Sequence, residues 1–114
     1  MNGQERVKIL SLLGLARRAG RIVSGQEKAE NAIRSGTARL VIVTVDASDN
    51  TRKLFFDKCS FYHIPVYCFF TMDELGNAIG AGQRACVAVN DEGFADKIEN
   101  LLKDLGQEVI KWQN

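Results

Sequence analysis

At 114 residues, 46% hydrophobic and 25% charged, the chain is long enough for one domain with its own core and too ordinary in composition for a disordered or fibrous protein. No apolar run approaches the roughly 20 residues of a membrane span, and Met1-Asn2-Gly3-Gln4-Glu5-Arg6 lacks the basic-then-apolar layout of a signal peptide. Net charge is only +1, yet residues 1–57 hold ten Lys/Arg against six Asp/Glu while residues 58–114 hold five against eight, so a basic face on a near-neutral protein suits a polyanion.

Val7, Ile9, Leu10, Leu12, Leu13 and Ala16 predict a first helix over residues 4–19, apolar around most of its girth and largely buried. Gly20 ends it, and Arg21-Ile22-Val23 reads as a short extended link. A second helix runs over 25–35 with Ala29, Ala32 and Ile33 inward, and Gly36 stops it. The β-branched run 39–45 reads as a strand buried on both faces. A third helix reaches Tyr62, with Asp46 as its expected cap and Leu54, Phe55 and Phe61 as core contacts. Pro65 opens a strand over 65–70. Thr71 and Glu74 have capping-box spacing before a helix carrying Leu75, Ala78 and Ile79. Loop 80–84 leads into a strand over 85–89, and Asn90 is expected to cap a last helix over 91–105 with Phe94, Ile98, Leu101 and Leu102 inward. Alternating helices and buried strands predict an α/β fold, a three-layer α/β/α sandwich on a small mixed sheet of about four strands. Residues 1–106 form the one domain; residues 107–114 form a tail in which Val109, Ile110 and Trp112 are available to dock.

Catalytic and metal chemistry find little purchase. Cys59, Cys68 and Cys86 are far apart, with no C-x-x-C, and His63 beside Pro65 offers no base to a nucleophile, so neither a metal nor a cofactor is expected. Cys68 and Cys86 sit in apolar runs and read as small buried hydrophobes of a reducing, cytoplasmic compartment. Gly76, Gly80 and Gly82 follow a helix instead of opening one, so no phosphate-loop fingerprint applies. Asp46 ends a strand as a phospho-acceptor would, but the preceding segment is helical and brings no companion carboxylates.

The densest segment is Ser24 to Val43. Ser24 and Glu27 have capping-box spacing at the start of the second helix, and Gly25 permits close backbone approach there. The exposed first turns then carry Gln26, Glu27, Lys28 and Asn31, with Lys28 and Asn31 opposite the apolar stripe. Helix-terminal amides, a glycine and long polar side chains converge on one point. Loop 80–86 adds Arg84 beside Ala81, Ala85 and Cys86, a setting suited to a base pushed out of a stack.

The order Gly25-x(10)-Gly36, Ala38-Arg39-Leu40-Val41-Ile42-Val43, Asp46, Cys59, Ile64-Pro65-Val66, Leu75-Gly76-x-x-x-Gly80 and Ala85-x-Val87-Ala88-Val89 resembles the ribosomal protein L7Ae/L30e family of kink-turn RNA binders. The likeness is closest to small bacterial members, through Leu13-Gly14-Leu15-Ala16-Arg17-Arg18-Ala19-Gly20 and Asp91-Glu92-Gly93-Phe94-Ala95, and covers residues 5–105. It implies a noncatalytic, ribosome- or translation-associated protein that recognises a bent RNA internal loop with tandem sheared G·A pairs, in ribosomal RNA or another kink-turn RNA. Protein partners, ribosomal or other, are compatible with that role. By that resemblance Gly25, Gln26, Glu27, Lys28 and Asn31 read the sheared pairs, and Gln83, Arg84, Ala85 and Cys86 lie over a flipped-out nucleotide. Arg34, Arg39 and Arg21 are phosphate contacts if they share the face. The family's usual Asn-Glu pair is Glu27-Lys28 here and its usual Lys is Asn31, one cation fewer toward the RNA. The alternative is a protein-interaction module that kept the fold and lost RNA binding.

Overall fold

In the computed structural model, which describes residues 2–110, the elements run α1 (Asn2–Arg18), β1 (Ile22–Ser24), α2 (Gln26–Ser35), β2 (Leu40–Val43), α3 (Asp49–Tyr62), β3 (Val66–Cys68), α4 (Met72–Ala78), β4 (Cys86–Val89) and α5 (Glu92–Asp104). The sheet order is β1-β4-β2-β3. Strands β2 and β3 are parallel, whereas β4 runs antiparallel to both β1 and β2, so the sheet is mixed. The Arg21–Val23 link is thus a true edge strand, one residue further along than the sequence indicated.

Strand alternation divides the interior into two cores. Ile22, Leu40, Ile42, Tyr67, Val87 and Val89 point to one face and pack with Ile9, Leu13, Leu75, Ile98 and Leu102 from α1, α4 and α5. Val41, Val43, Val66, Cys86 and Ala88 point to the other and meet Ala29, Ile33, Phe55 and Cys59 from α2 and α3. Every residue of β2 and β4 is buried, which is why neither strand shows a polar face. Removing each large aliphatic side chain from water contributes about 1.5–3 kcal/mol, so these two central strands anchor both layers.

Several expectations are corrected by where the helices sit. Helix α1 buries Ile9, Leu13 and Ala16 but leaves Val7 62% and Leu15 45% exposed, because an outer-layer helix has only one face against the sheet. Phe61 is 75% exposed: with Phe55 and Cys59 turned inward, 100° per residue carries position 61 to the outer side of α3. Cys59 and Cys86 are fully buried, whereas Cys68 is only half-buried. Ser48, not Asp46, caps α3 by accepting from the Thr51 N–H. Asp46 instead accepts from the Met72 N–H at 3.0 Å and steadies the start of α4. Asp91, not Asn90, caps α5 through the Phe94 N–H. The capping box of Thr71 and Glu74 forms as its spacing predicts. Beyond α5, the Ile110 N–H donates to the Val66 carbonyl at 2.8 Å, tying the chain after α5 to the edge strand β3. Trp112 lies outside the described residues.

Candidate nucleic-acid interface

Strand β1 ends at Ser24, paired with Val87, and the Gly25 N–H continues the ladder to the Cys86 carbonyl at 3.2 Å. Gly25 then takes φ 91° and ψ 155°, a conformation that glycine alone adopts without strain. Nothing lies within 4 Å of where its Cβ would stand, so this backbone turn, not a close neighbour, is what requires glycine. The turn makes Gly25 the N-cap and starts the helix at Gln26. The expected Ser24–Glu27 box therefore does not form, because three residues on from the true cap is Lys28. Helix α2 begins with no side-chain cap, and its first-turn N–H groups keep their donor capacity at the positive end of the helix dipole.

Ser24 has another task. Its Oγ accepts from Arg84 Nε at 3.1 Å, drawing the guanidinium to the mouth of α2. Arg84 Nη1 also donates to the Gln83 carbonyl at 3.0 Å, so the side chain is held from two directions. The loop that carries it is clamped to α4. Arg84 N–H donates to the Met72 carbonyl at 3.2 Å and Gln83 Nε2 to Asp73 Oδ1 at 2.7 Å. Gly76 lets loop and helix touch, since a Cβ there would stand 2.2 Å from the Gly82 carbonyl oxygen. Beyond the end of β2, the Thr44 N–H donates to the Ala85 carbonyl at 2.8 Å, and the next residue, Val45, is 49% exposed. Val45 and Ala85 thus give an apolar patch beside the Arg84 loop.

The fold gathers Gly25, Gln26, Glu27, Lys28, Arg84 and Ala85 at one end of the sheet, with Asn31 and Arg34 following down α2. Gln26, Glu27, Lys28, Asn31 and Arg34 are exposed, and Arg84 and Ala85 half-buried. A shallow cleft of about 250 Å³ runs along Gln26, Glu27, Glu30, Asn31 and Arg34. Arg34 Nη2 donates to Asn31 Oδ1, bringing its charge up beside that amide. Cys86 is buried as its apolar run predicts, and so does not lie open over a nucleotide as the resemblance implies. Its side chain is fully buried against α2, and burial pushes the thiol up to about 12, so it backs the face without reaching a ligand. Arg21 and Arg39 depart further, lying at the other end of the sheet: the Asn90 N–H donates to the Arg21 carbonyl and the Arg39 N–H to the Val89 carbonyl, beyond the far end of β4. Sequence reasoning missed Ser24 as the holder of Arg84, a contact across 60 positions, and Val45, whose exposure follows only from β2 ending early.

The assembled groups are hydrogen-bond donors and acceptors with exposed or half-buried cations. Burial likewise pushes Cys59 up to about 12, so the two fully buried thiols stay protonated and closed to solvent. Among the described residues no group of three His, Cys, Asp or Glu is placed to hold a metal, and no helix is long and apolar enough to cross a membrane.

Comparison with known proteins places these features in a lineage. The model of the ribosomal protein L7Ae/L30e/S12e/Gadd45 family matches residues 7–99. The RNA-binding protein YlxQ of Bacillus subtilis (strain 168) is 46% identical over 91 residues, 80% of this chain and 91% of its own. Its namesake in Enterococcus faecium is 39% identical over 103 residues, 90% of this chain and 99% of its own. Among solved structures, a protein with unknown function from Bacillus halodurans superposes with a TM-score of 0.80 at 41% identity, covering 84% of this chain and 97% of that one. The Giardia lamblia 15.5kD RNA binding protein shares the fold with a TM-score of 0.73 at 18% identity, over 90% of this chain and 88% of that one.

Proposed function

This chain belongs to the ribosomal protein L7Ae/L30e/S12e/Gadd45 family, and we propose that it is a noncatalytic RNA-binding protein of the cytoplasm that recognises a kink-turn-like internal loop in ribosomal RNA or another translation-associated RNA. The observation that carries this reading is the Arg84–Ser24 bond beside the uncapped start of α2. It sets a fixed cation next to free backbone donors, the pairing a sharply bent, phosphate-dense RNA calls for. The names of the curated relatives support the same class of partner.

In this reading Gly25, Gln26, Glu27, Lys28 and Asn31 face the sheared pairs, and Arg84 and Ala85 lie over the extruded base. Lys28 donates to guanine O6 and N7, and Gln26 and Asn31 bond base edges. Cys86 contributes only its backbone and bulk from behind. Arg34, pulled up to Asn31, supplies the charge that the asparagine lacks relative to the family's usual lysine. Glu27 is tolerated where its carboxylate accepts from a guanine amine.

Filter-binding titrations at two salt concentrations test this. One RNA carries the kink-turn; its control has the G·A pairs changed to Watson–Crick pairs. The kink-turn RNA is expected to bind at least tenfold more tightly, and Lys28→Ala and Arg84→Ala each to lose about 1–2 kcal/mol of that preference. Equal, feeble binding to both RNAs overturns the kink-turn reading and favours the protein-interaction alternative.

A further inference from the structure

The proposed interface leaves unused a group of four arginines around the far end of β4. Arg17 and Arg18 close α1, and Arg21 follows one turn later, its N–H bonded to the Ala16 carbonyl at 2.8 Å. Arg21 and Arg39 flank the end of β4, the first through the Asn90 N–H at 2.8 Å and the second through the Val89 carbonyl at 2.7 Å. All four arginines are exposed. Among the described residues, Arg17, Arg18 and Arg21 make no ion pair or side-chain hydrogen bond, and Arg39 donates only to the Gly36 carbonyl at 2.9 Å. Carboxylates at the start of α5 include Asp91, engaged in capping the helix, and Glu92 in its first turn.

Helix-dipole compensation accounts for part of this arrangement, since Arg17 and Arg18 stand in the last turn of α1. It does not account for Arg21 and Arg39, which lie outside any helix. Four exposed guanidiniums with no carboxylate paired to them among the described residues form a surface for a polyanion backbone. The pole lies at the opposite end of α2 from Gly25, about 16 Å away at 1.5 Å per residue.

We propose that Arg17, Arg18, Arg21 and Arg39 form a second, sequence-independent contact for the phosphates of duplex RNA, separate from the α2–Arg84 face. The inference rests on the reading of the protein as an RNA binder, not on its kink-turn preference. An RNA whose helical arm continues past the bend then touches both ends of a domain only 36 × 28 × 26 Å across.

The test uses the full chain and three probes: a fully paired RNA duplex, a kink-turn with minimal arms, and polyglutamate of matched charge. The substitutions Arg17→Gln, Arg18→Gln, Arg21→Gln and Arg39→Gln together are expected to weaken duplex binding about tenfold or more and to flatten its log–log salt slope by about 2–3. Binding of the minimal kink-turn should change less than about twofold. Arg21→Gln with Arg39→Gln alone spares the last turn of α1, is expected to keep the fold by circular dichroism, and should show about half the loss. An unchanged duplex affinity in either variant, or no duplex binding by the natural protein, overturns the proposal. Polyglutamate binding as tightly as duplex also overturns it, in favour of an acidic protein partner. Lys28→Ala with Arg84→Ala separates the two readings: it should abolish kink-turn discrimination and leave duplex binding in place. Failure of the natural protein to discriminate the kink-turn removes the finer functional reading alone.

Discussion

Helices α2 and α4 both begin after a hydroxyl residue followed three positions later by glutamate, and they start in opposite ways. At α4, Thr71 accepts from the Glu74 N–H, and the Glu74 carboxylate returns to the Thr71 N–H at 2.9 Å. At α2, a left-handed glycine comes between the hydroxyl and the helix, the box fails, and Ser24 bonds Arg84 instead. The first arrangement spends its polar groups on itself; the second leaves backbone donors open and adds a cation. Identical local chemistry is thus consumed in capping at one helix and, in the proposed reading, left open for recognition at the other, and the intervening backbone conformation decides which.

Four substitutions or conditions probe that contrast. The largest effect is expected for Gly76→Ala on α4. Its Cβ would meet the Gly82 carbonyl oxygen at 2.2 Å, and overpacking against backbone should cost about 2–3 kcal/mol, read as a lowered Tm with weakened RNA binding through a displaced Arg84 loop. Thr71→Ala should cost about 1 kcal/mol in denaturant unfolding and leave RNA affinity unchanged, because it removes the cap and a hydroxyl bond to Glu74 but none of the groups that hold the Arg84 loop.

Acid should expose the same end of α4. The Arg6 guanidinium, bonded to both carboxylate oxygens of Glu74 at 2.6 Å, holds that carboxyl below its ordinary range, with the Thr71 bonds adding to the effect. A depressed folded-state pKa means the stabilisation is complete above the unfolded value near 4.5 and is lost as pH falls below it toward the depressed one. Glu74→Gln should therefore flatten the stability profile below about pH 5. The smallest change in stability is expected for Ser24→Ala, within about 0.5 kcal/mol. Its RNA affinity should nonetheless fall severalfold as Arg84 loses its tether, whereas a loss confined to stability would mean that Ser24 is only structural.

How far the sequence could be read depended on the range of each interaction. The continuous apolar runs Leu40 to Val43 and Cys86 to Val89, and the 3.6-residue stripe of Ala29, Ala32 and Ile33, are local signals, and the architecture followed from them. The family motifs ran through the same segments, and the family match over residues 7–99 agrees with that reading. Cap assignments were weaker: Asp46, Ser24 and Asn90 each have a cap-forming neighbour, and shifting a helix start by one or two residues transfers the task. Phe61 was misjudged because an aromatic residue carries no mark of which face of its helix will meet the sheet.

The α/β alternation, the two buried central strands and the polar first turns of α2 were determined by the sequence alone, because hydrophobic periodicity and propensity act over a few neighbouring residues. Only the tertiary structure decided that Arg84 reaches Ser24 across 60 positions and that Arg21 and Arg39 stand at the pole away from Gly25. Those outcomes depend on strand order and register. Pairing β4 between β1 and β2 sets which loop ends share a face, and no local pattern encodes that choice.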